Sequence, residues 1–320
     1  MTATSSSGRQ LEAAPIALCG IGKIARDQHL PAIEDSPAFA LAATVSGSGG
    51  IEGTENHEDV AALIEARPEI DVVSLTMPPM PRYDIATRAL MAGKHTMLEK
   101  PPGATVSEVL KLQRLAEAKG VTLYASWHLK HARAVAAARA WLRDRTVRKM
   151  RIDWREDVHN WHPGQEWIWE PAGLGVFDTG INALSIMVDI LPSAVHLRES
   201  RLMVPENRDM PIAADLTFAG PGDMTVEARF DWRHEDPPVW DMEIETDAGT
   251  LVLRDGASKM EIDGVGQEVA DQTEYGGVYH RFAELIETGQ SDVDLRPLQH
   301  VADAMMLASR ERVEAFRDRD

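Results

Sequence analysis

The sequence predicts a doubly wound parallel α/β sheet followed by a mostly antiparallel α+β sheet. Three observations carry that expectation. Up to residue 128, apolar runs of five or six residues alternate with stretches of helical spacing. After residue 128 the runs lengthen and alternate apolar with polar, the period of a sheet with one covered face. The length of 320 residues suits two domains of about 150 residues each. The expected boundaries are a disordered tail over 1–13, a first domain over 14–128 and a second over 129–320.

Each element has a local reason. Residues 15–19 form a buried strand that ends at Gly20, and helical spacing follows over 24–33. Residues 41–45 are a second strand, closed by the Ser/Gly cluster 46–50. Asp59 can cap a helix to Ala66, with Pro68 beyond its end. Residues 71–76 are a third strand, stopped by Met77-Pro78-Pro79. A helix over 83–92 ends at Gly93, 95–99 is a fourth strand, and a helix over 107–119 closes at Gly120. Residues 121–125 are a fifth strand. In the second part, 131–143 is an Ala-rich helix, and alternation marks strands over 147–158, 197–204, 213–218, 224–232, 240–246 and 250–254. Helices are expected over 180–191, 279–288 and 297–317.

Charge narrows the function classes. With 33 Lys+Arg against 51 Asp+Glu, the formal charge is −18. Such a surface repels phosphate backbones and anionic lipid, so neither nucleic acid nor membrane is an expected partner. The single cysteine, Cys19, excludes an intrachain disulfide and a Cys-based zinc cluster. The first dozen residues lack an apolar signal core, and no run of 18 apolar residues occurs, so the expected location is cytoplasmic.

Chemistry concentrates where strands end. Gly20-Ile21-Gly22-Lys23-Ile24-Ala25 lies between the first strand and the first helix. Gly20 permits the tight turn, Gly22 lets backbone approach a pyrophosphate, and Ala25 lets helix and strand pack closely. The following helix offers unpaired N–H groups to phosphate. At the second strand's end, Ser46 stands where an acid would bind the ribose of NAD or an Arg the phosphate of NADP, so either cofactor fits. Thr76-Met77-Pro78-Pro79 and Glu99-Lys100-Pro101-Pro102 make a proline-stiffened rim on the same edge.

These residues, together with Gly173-x-Gly175-x-x-Asp178-x-Gly180, resemble the Gfo/Idh/MocA oxidoreductases at the family's own spacing, over nearly the whole chain. The resemblance implies a Rossmann domain, an open C-terminal sheet often used to form homo-oligomers, and NAD- or NADP-dependent chemistry on sugars or polyols. Where the family often has His four residues after the Asp, this sequence has Asn182. With Glu156 and Trp161-His162-Pro163, that looks like the aldose 1-dehydrogenase branch acting on L-arabinose or D-galactose. Carried over, Lys100, Asp178 and Asn182 are catalytic. Gly20, Gly22, Lys23, Ile24, Ser46, Thr76, Pro78, Glu99 and Lys100 hold the cofactor. His128, Glu156, Trp161, His162, Asp178 and Asn182 line the sugar pocket.

The residues themselves agree with this assignment. Asp178 and Asn182 are four apart at a helix start and face one way, although Asp178 also suits an N-cap. Trp154, Trp161, Trp167 and Trp169 crowd one stretch, some of them for the core. Aromatic faces suit sugar C–H faces, and Glu156, His159 and His162 can bind hydroxyls. His128 and His131 lack a nearby carboxylate in sequence, so no metal is expected. The expected reaction is oxidation of an aldose's anomeric hydroxyl to the aldonolactone, with Asp178 or Lys100 taking the proton. The alternatives are a ring-hydroxyl dehydrogenase of the inositol type and a non-catalytic dinucleotide-binding sugar sensor.

Overall fold

In the computed structural model, which describes residues 13–235 and 237–319, the chain forms two sheets. The tail expected over 1–13 lies outside the described residues except for Ala13. The first sheet has the strands β1 (Ala14–Cys19), β2 (Phe39–Val45), β3 (Glu55–His57), β4 (Val72–Leu75), β5 (His95–Glu99) and β6 (Leu123–Ser126). They lie in the order β3-β2-β1-β4-β5-β6, and every pairing is parallel.

Alternate residues of these strands serve two buried faces, which is why the strands read as unbroken apolar runs. Ala17, Cys19, Val73 and Leu75 pack with Leu63, Leu90 and Leu112. These three belong to α2 (Val60–Ala66), α3 (Pro79–Met91) and α4 (Val106–Lys119). Ile16, Val72, Met97 and Tyr124 pack on the other face against Ile33, Tyr279, Phe282 and Leu285. Ile33 belongs to the short α1 (Leu30–Glu34), whereas the other three come from a late helix, α8 (Glu274–Thr288).

Local chemistry moves several boundaries. The expected helix over 24–33 is broken: a π-helical turn, Ala25–His29, precedes α1, where Pro31 has no N–H to continue the ladder. Helix α3 starts at Pro79, not at residue 83, because proline at a first helical position lacks only an N–H that would be unpaired anyway. Strand β3 has three mostly polar residues and gives no periodic signal.

The second sheet contains β7 (Val147–Arg155), β8 (His196–Pro205), β9 (Ala213–Ala219), β10 (Thr225–Asp231), β11 (Val239–Thr246), β12 (Gly249–Arg254), β13 (Lys259–Ile262), β14 (Val265–Gly266) and β15 (Ser309–Val313). Its order is β14-β13-β12-β11-β7-β10-β9-β8-β15, antiparallel except for the β7–β10 and β8–β15 pairs. One face buries Met150, Ile152, Val226 and Phe230 against Ala138, Ile181 and Val301. Those last three belong to α5 (Val135–Leu142), α7 (Phe177–Ile190) and α9 (Arg296–Leu307). The other face is charged, with Arg151 bridging Glu243 (3.2 Å) and Glu245 (2.9 Å).

Two expected elements end early. The helix over 297–317 stops at Leu307, after its last buried residue, Ala304; residues 309–313 instead gain ladder bonds beside β8. The strand over 147–158 stops at Arg155, and Asp157 caps the short α6 (Val158–Trp161) by accepting from His159 N. Among the described residues no helix is long and apolar enough to cross a membrane.

Candidate active site

The carboxyl ends of β1, β4 and β5 open on two adjoining cavities of about 670 and 660 Å³, both lined by Gly22, Thr76, Met77 and Pro78. Gly20 turns the chain at φ +94°, and a Cβ there would stand 2.7 Å from Met77 N. Only glycine permits that approach. A Cβ on Gly22, by contrast, would meet nothing within 4 Å. The bare backbone of Gly22 is the cradle a pyrophosphate requires, and helix begins at the next residue, Lys23. The residues present therefore fit a nicotinamide dinucleotide.

Every residue that the family resemblance assigned to the site lines one or other cavity. Gly20 and Ser46 line the second. Glu58 and Asp59 join them there; the sequence reading gave Asp59 a capping role and Glu58 none. Asp59 is already engaged, accepting from Ala61 N (2.8 Å) and Ala62 N (2.9 Å) at the start of α2. The first cavity takes Lys23, Ile24, Glu99, Lys100, His128, Glu156, Trp161, His162, Asp178 and Asn182.

At its centre, Lys100 Nζ donates to Asp178 Oδ2 (3.1 Å) and to the Asp178 carbonyl (2.8 Å). Asp178 lies in the first turn of α7 but does not cap it, since Val176 holds that position and the Asp178 side chain turns to Lys100. His162 Nε2 stands 3.4 Å from Asp178 Oδ2, with its Nδ1 3.3 Å from Gln165 Oε1. Burial lowers the His162 pKa and Lys100 adds to the effect, against the pull of Asp178.

Glu156, just past the end of β7, is buried. Its Oε2 accepts from Trp240 Nε1 (2.8 Å), while Oε1 is buried without a hydrogen-bond partner. Burial pushes this carboxyl up to about 7 against the hydrogen bond from Trp240, with the Asp178 charge adding to the rise.

Beneath Lys100, Glu99 anchors the loop. Its carboxylate accepts from the Lys100 N–H and the Tyr275 hydroxyl, and lies 3.5 Å from His29 Nε2. Burial alone would raise the Glu99 pKa, but His29, then His128 and Lys100, bring it down to about 2. Arg82, fully buried, donates to the carbonyls of Met77, Glu99 and Pro101 and so ties the two proline rims together. His128 stacks on Tyr275 at 5.2 Å, and burial takes it down to about 4. His131 turns instead to the Tyr124 hydroxyl, 2.9 Å away.

The tryptophans divide. Trp154, Trp161 and Trp167 line the cavity, whereas Trp169 is buried behind it. Trp240 completes the wall, 5.4 Å from Trp161 and 6.1 Å from Trp154. His159, expected to bind hydroxyls, does not line the cavity and pairs with Asp157 Oδ1 (2.7 Å). Arg82, Trp240 and Tyr275 were not expected in the site. Alternation along β11 was the one available signal, placing Trp240 on the face of the buried Met242 and Ile244.

A nicotinamide cradle beside a Lys–Asp–His cluster points to one kind of protein, and the comparisons agree. Residues 15–126 match the Gfo/Idh/MocA model, described as an oxidoreductase family with an NAD-binding Rossmann fold. The chain is 43% identical over 303 residues to galactose 1-dehydrogenase of Pseudomonas fluorescens, covering 95% of this chain and 98% of that one. The chain belongs to the Gfo/Idh/MocA family. Among solved structures of Gfo/Idh/MocA-like fold, D-galactose-1-dehydrogenase from Rhizobium etli superposes with a TM-score of 0.93 at 50% identity. That match covers 97% of this chain and 100% of the other. A 3-ketoreductase from Actinomadura kijaniata, in complex with TDP-benzene and NADP, shares the fold with a TM-score of 0.79 at 19% identity. It covers 95% of this chain and 100% of its own. The chain is thus an NAD(P)-binding oxidoreductase with the Rossmann sheet and second sheet that its sequence predicts.

Proposed function

We propose that the protein is an NAD(P)-dependent aldose 1-dehydrogenase, oxidising the anomeric hydroxyl of a D-galactose- or L-arabinose-type pyranose to the aldonolactone. The observation that carries this reading is the Lys100–Asp178 ion pair at the foot of a tryptophan-walled cavity that opens on the Gly22 cradle. Residues 14–128 serve as the dinucleotide domain and 129–320 as the sugar domain. The protein is cytoplasmic, and its second sheet supports a homo-oligomer.

Gly20, Gly22 and Thr76 would hold the dinucleotide, which would supply the acceptor for the hydride leaving C1. Asp178 Oδ2 takes the proton of the C1 hydroxyl, while Lys100 Nζ stabilises the negative charge growing on that oxygen. Asn182, one turn along α7, orients the C1 oxygen. Glu156 Oε1 accepts a hydroxyl elsewhere on the ring, and His162 another. Trp161 and Trp240 cover a C–H face and keep water from the reacting carbon.

The deciding experiment follows absorbance at 340 nm with D-galactose, L-arabinose and their 1-O-methyl glycosides. The free sugars are expected to be oxidised and the glycosides to be inert, because their anomeric oxygen carries no proton. Turnover of a glycoside would move the chemistry to a ring carbon and favour the inositol-type reading.

Glu156 adds a pH dependence. Its carboxyl is neutral below about pH 7 and charged above, and the charged form is the better acceptor for the Trp240 N–H at Oε2 and a sugar hydroxyl at Oε1 together. KM for the sugar is therefore expected to fall as pH rises through 7. Glu156→Gln should abolish that step and hold KM near its low-pH value; a step surviving the substitution would belong to another group.

A further inference from the structure

The residues that close the sugar cavity are held from behind by the end of the chain. We propose that Phe316 is a positioning residue for the sugar site, the C-terminal residues acting as a clasp that seats His162 against Asp178. The proposal rests on the dehydrogenase reading above.

A continuous series of ring contacts makes the connection. Phe316 lies 4.7 Å from Trp169, Trp169 meets Trp232 edge-on at 5.5 Å, and Trp232 lies 5.1 Å from His162. His162 Nε2 in turn faces Asp178 Oδ2 at 3.4 Å. Polar contacts fix both ends of the clasp. Asn207 Nδ2 donates to the Phe316 carbonyl (2.8 Å), and Phe316 N donates back to Asn207 Oδ1 (2.9 Å). Arg319 pairs with Asp157 Oδ2 (2.8 Å), the residue that caps α6, and His159 Nε2 lies 3.0 Å from the Arg317 carbonyl.

The reason for such a clasp lies in the segment it holds. Between β7 and α7 the regular structure consists of the four-residue α6 and a 3₁₀ turn, Glu166–Trp169. So short a helix has little stability of its own. Yet this segment supplies Trp161, His162 and Trp167 to the cavity. Among the described residues the His162 side chain has one hydrogen-bond partner, Gln165, so the direction of its ring depends on Trp232. Trp232 is set in turn by its Nε1 donating to Thr179 Oγ1 (2.9 Å) and by Trp169, against which Phe316 packs. Beyond Val313 the chain forms no further strand among the described residues, so the clasp lies outside both sheets. A site held by its surroundings loses affinity when that support loosens, even where no contacting residue has changed.

The test uses the full chain with Phe316→Leu, which keeps apolar bulk without the ring, and Phe316→Tyr, which restores the ring. Phe316→Leu is expected to raise KM for the sugar about 3–10-fold, the weight of one aromatic pair. KM for the dinucleotide should stay within about twofold, since Gly20 and Gly22 are untouched. Phe316→Tyr should return the sugar KM to near its parent value. Amide exchange over 158–169 should quicken in Phe316→Leu, with the sheet amides unchanged. An unchanged sugar KM, or a rise in both KM values with exchange quickened throughout, overturns the proposal. If the parent oxidises no sugar, the dehydrogenase reading fails and exchange alone decides: faster local exchange upholds the clasp, and unchanged exchange removes it.

Discussion

Asp178→Asn and Lys100→Met are each expected to lower kcat about 10²–10⁴-fold, the range for a positioned acid or base. The geometry makes the comparison clean. In Asp178→Asn the main-chain carbonyl that accepts from Lys100 Nζ at 2.8 Å is retained, so the lysine keeps an anchor while the proton acceptor disappears. An amide oxygen accepts hydrogen bonds but is not protonated at ordinary pH. In Lys100→Met the carboxylate keeps His162, but the developing alkoxide loses its cation. Dinucleotide affinity, measured by fluorescence titration, should change by no more than a few-fold in both, because the Gly20–Gly22 turn is separate from the pair. A variant that keeps near-parent kcat would strip its residue of the catalytic role. A non-catalytic sensor would show the opposite pattern, with binding altered and no turnover to lose.

How far the sequence revealed this site depends on distance along the chain. Gly20, Gly22, Thr76, Pro78, Glu99 and Lys100 all lie at or within three residues of the ends of strands whose apolar runs are unmistakable, and the carboxyl edge of a parallel sheet gathers such residues. Caps were equally legible: Asp59 does accept from Ala61 and Ala62, and Gly120 does end α4 in a left-handed conformation. Trp240 and Tyr275 were not, because each acts through a partner that only the fold brings near. Trp240 reaches Glu156 across 84 positions and Tyr275 reaches Glu99 across 176. His159 illustrates the converse. It is a near neighbour of His162 in sequence, but α6 points it at Asp157 and the C-terminal residues. Proximity in sequence says little about side-chain direction where helix and strand alternate over a few residues.

Arg82→Met is expected to destabilise the fold by about 3–6 kcal/mol. In sequence this arginine stands just before the expected helix over 83–92; in the structure it is 2% exposed and donates to three main-chain carbonyls, those of Met77, Glu99 and Pro101. Burial lowers its pKa to about 10, with Glu99 and Asp178 opposing, so the guanidinium remains charged at neutral pH. Each buried carbonyl left without a donor costs about 1–3 kcal/mol; water reaching the Met77 carbonyl, the more exposed contact, holds the total toward the lower half. Arg82→Lys keeps the charge but replaces a planar fork with a single ammonium, which cannot reach three diverging carbonyls at once. It should recover less than half of the loss. Urea unfolding measures both variants, and the apparent Tm of Arg82→Met should fall by about 5–10 °C. A second effect separates a clamp from a mere core residue. The two rims it joins carry Pro78 and Lys100, so at a temperature where Arg82→Met is fully folded, kcat should drop while dinucleotide KM rises only slightly. A Tm loss below about 2 °C would show that the carbonyls find other donors and that the rims are held by their prolines alone.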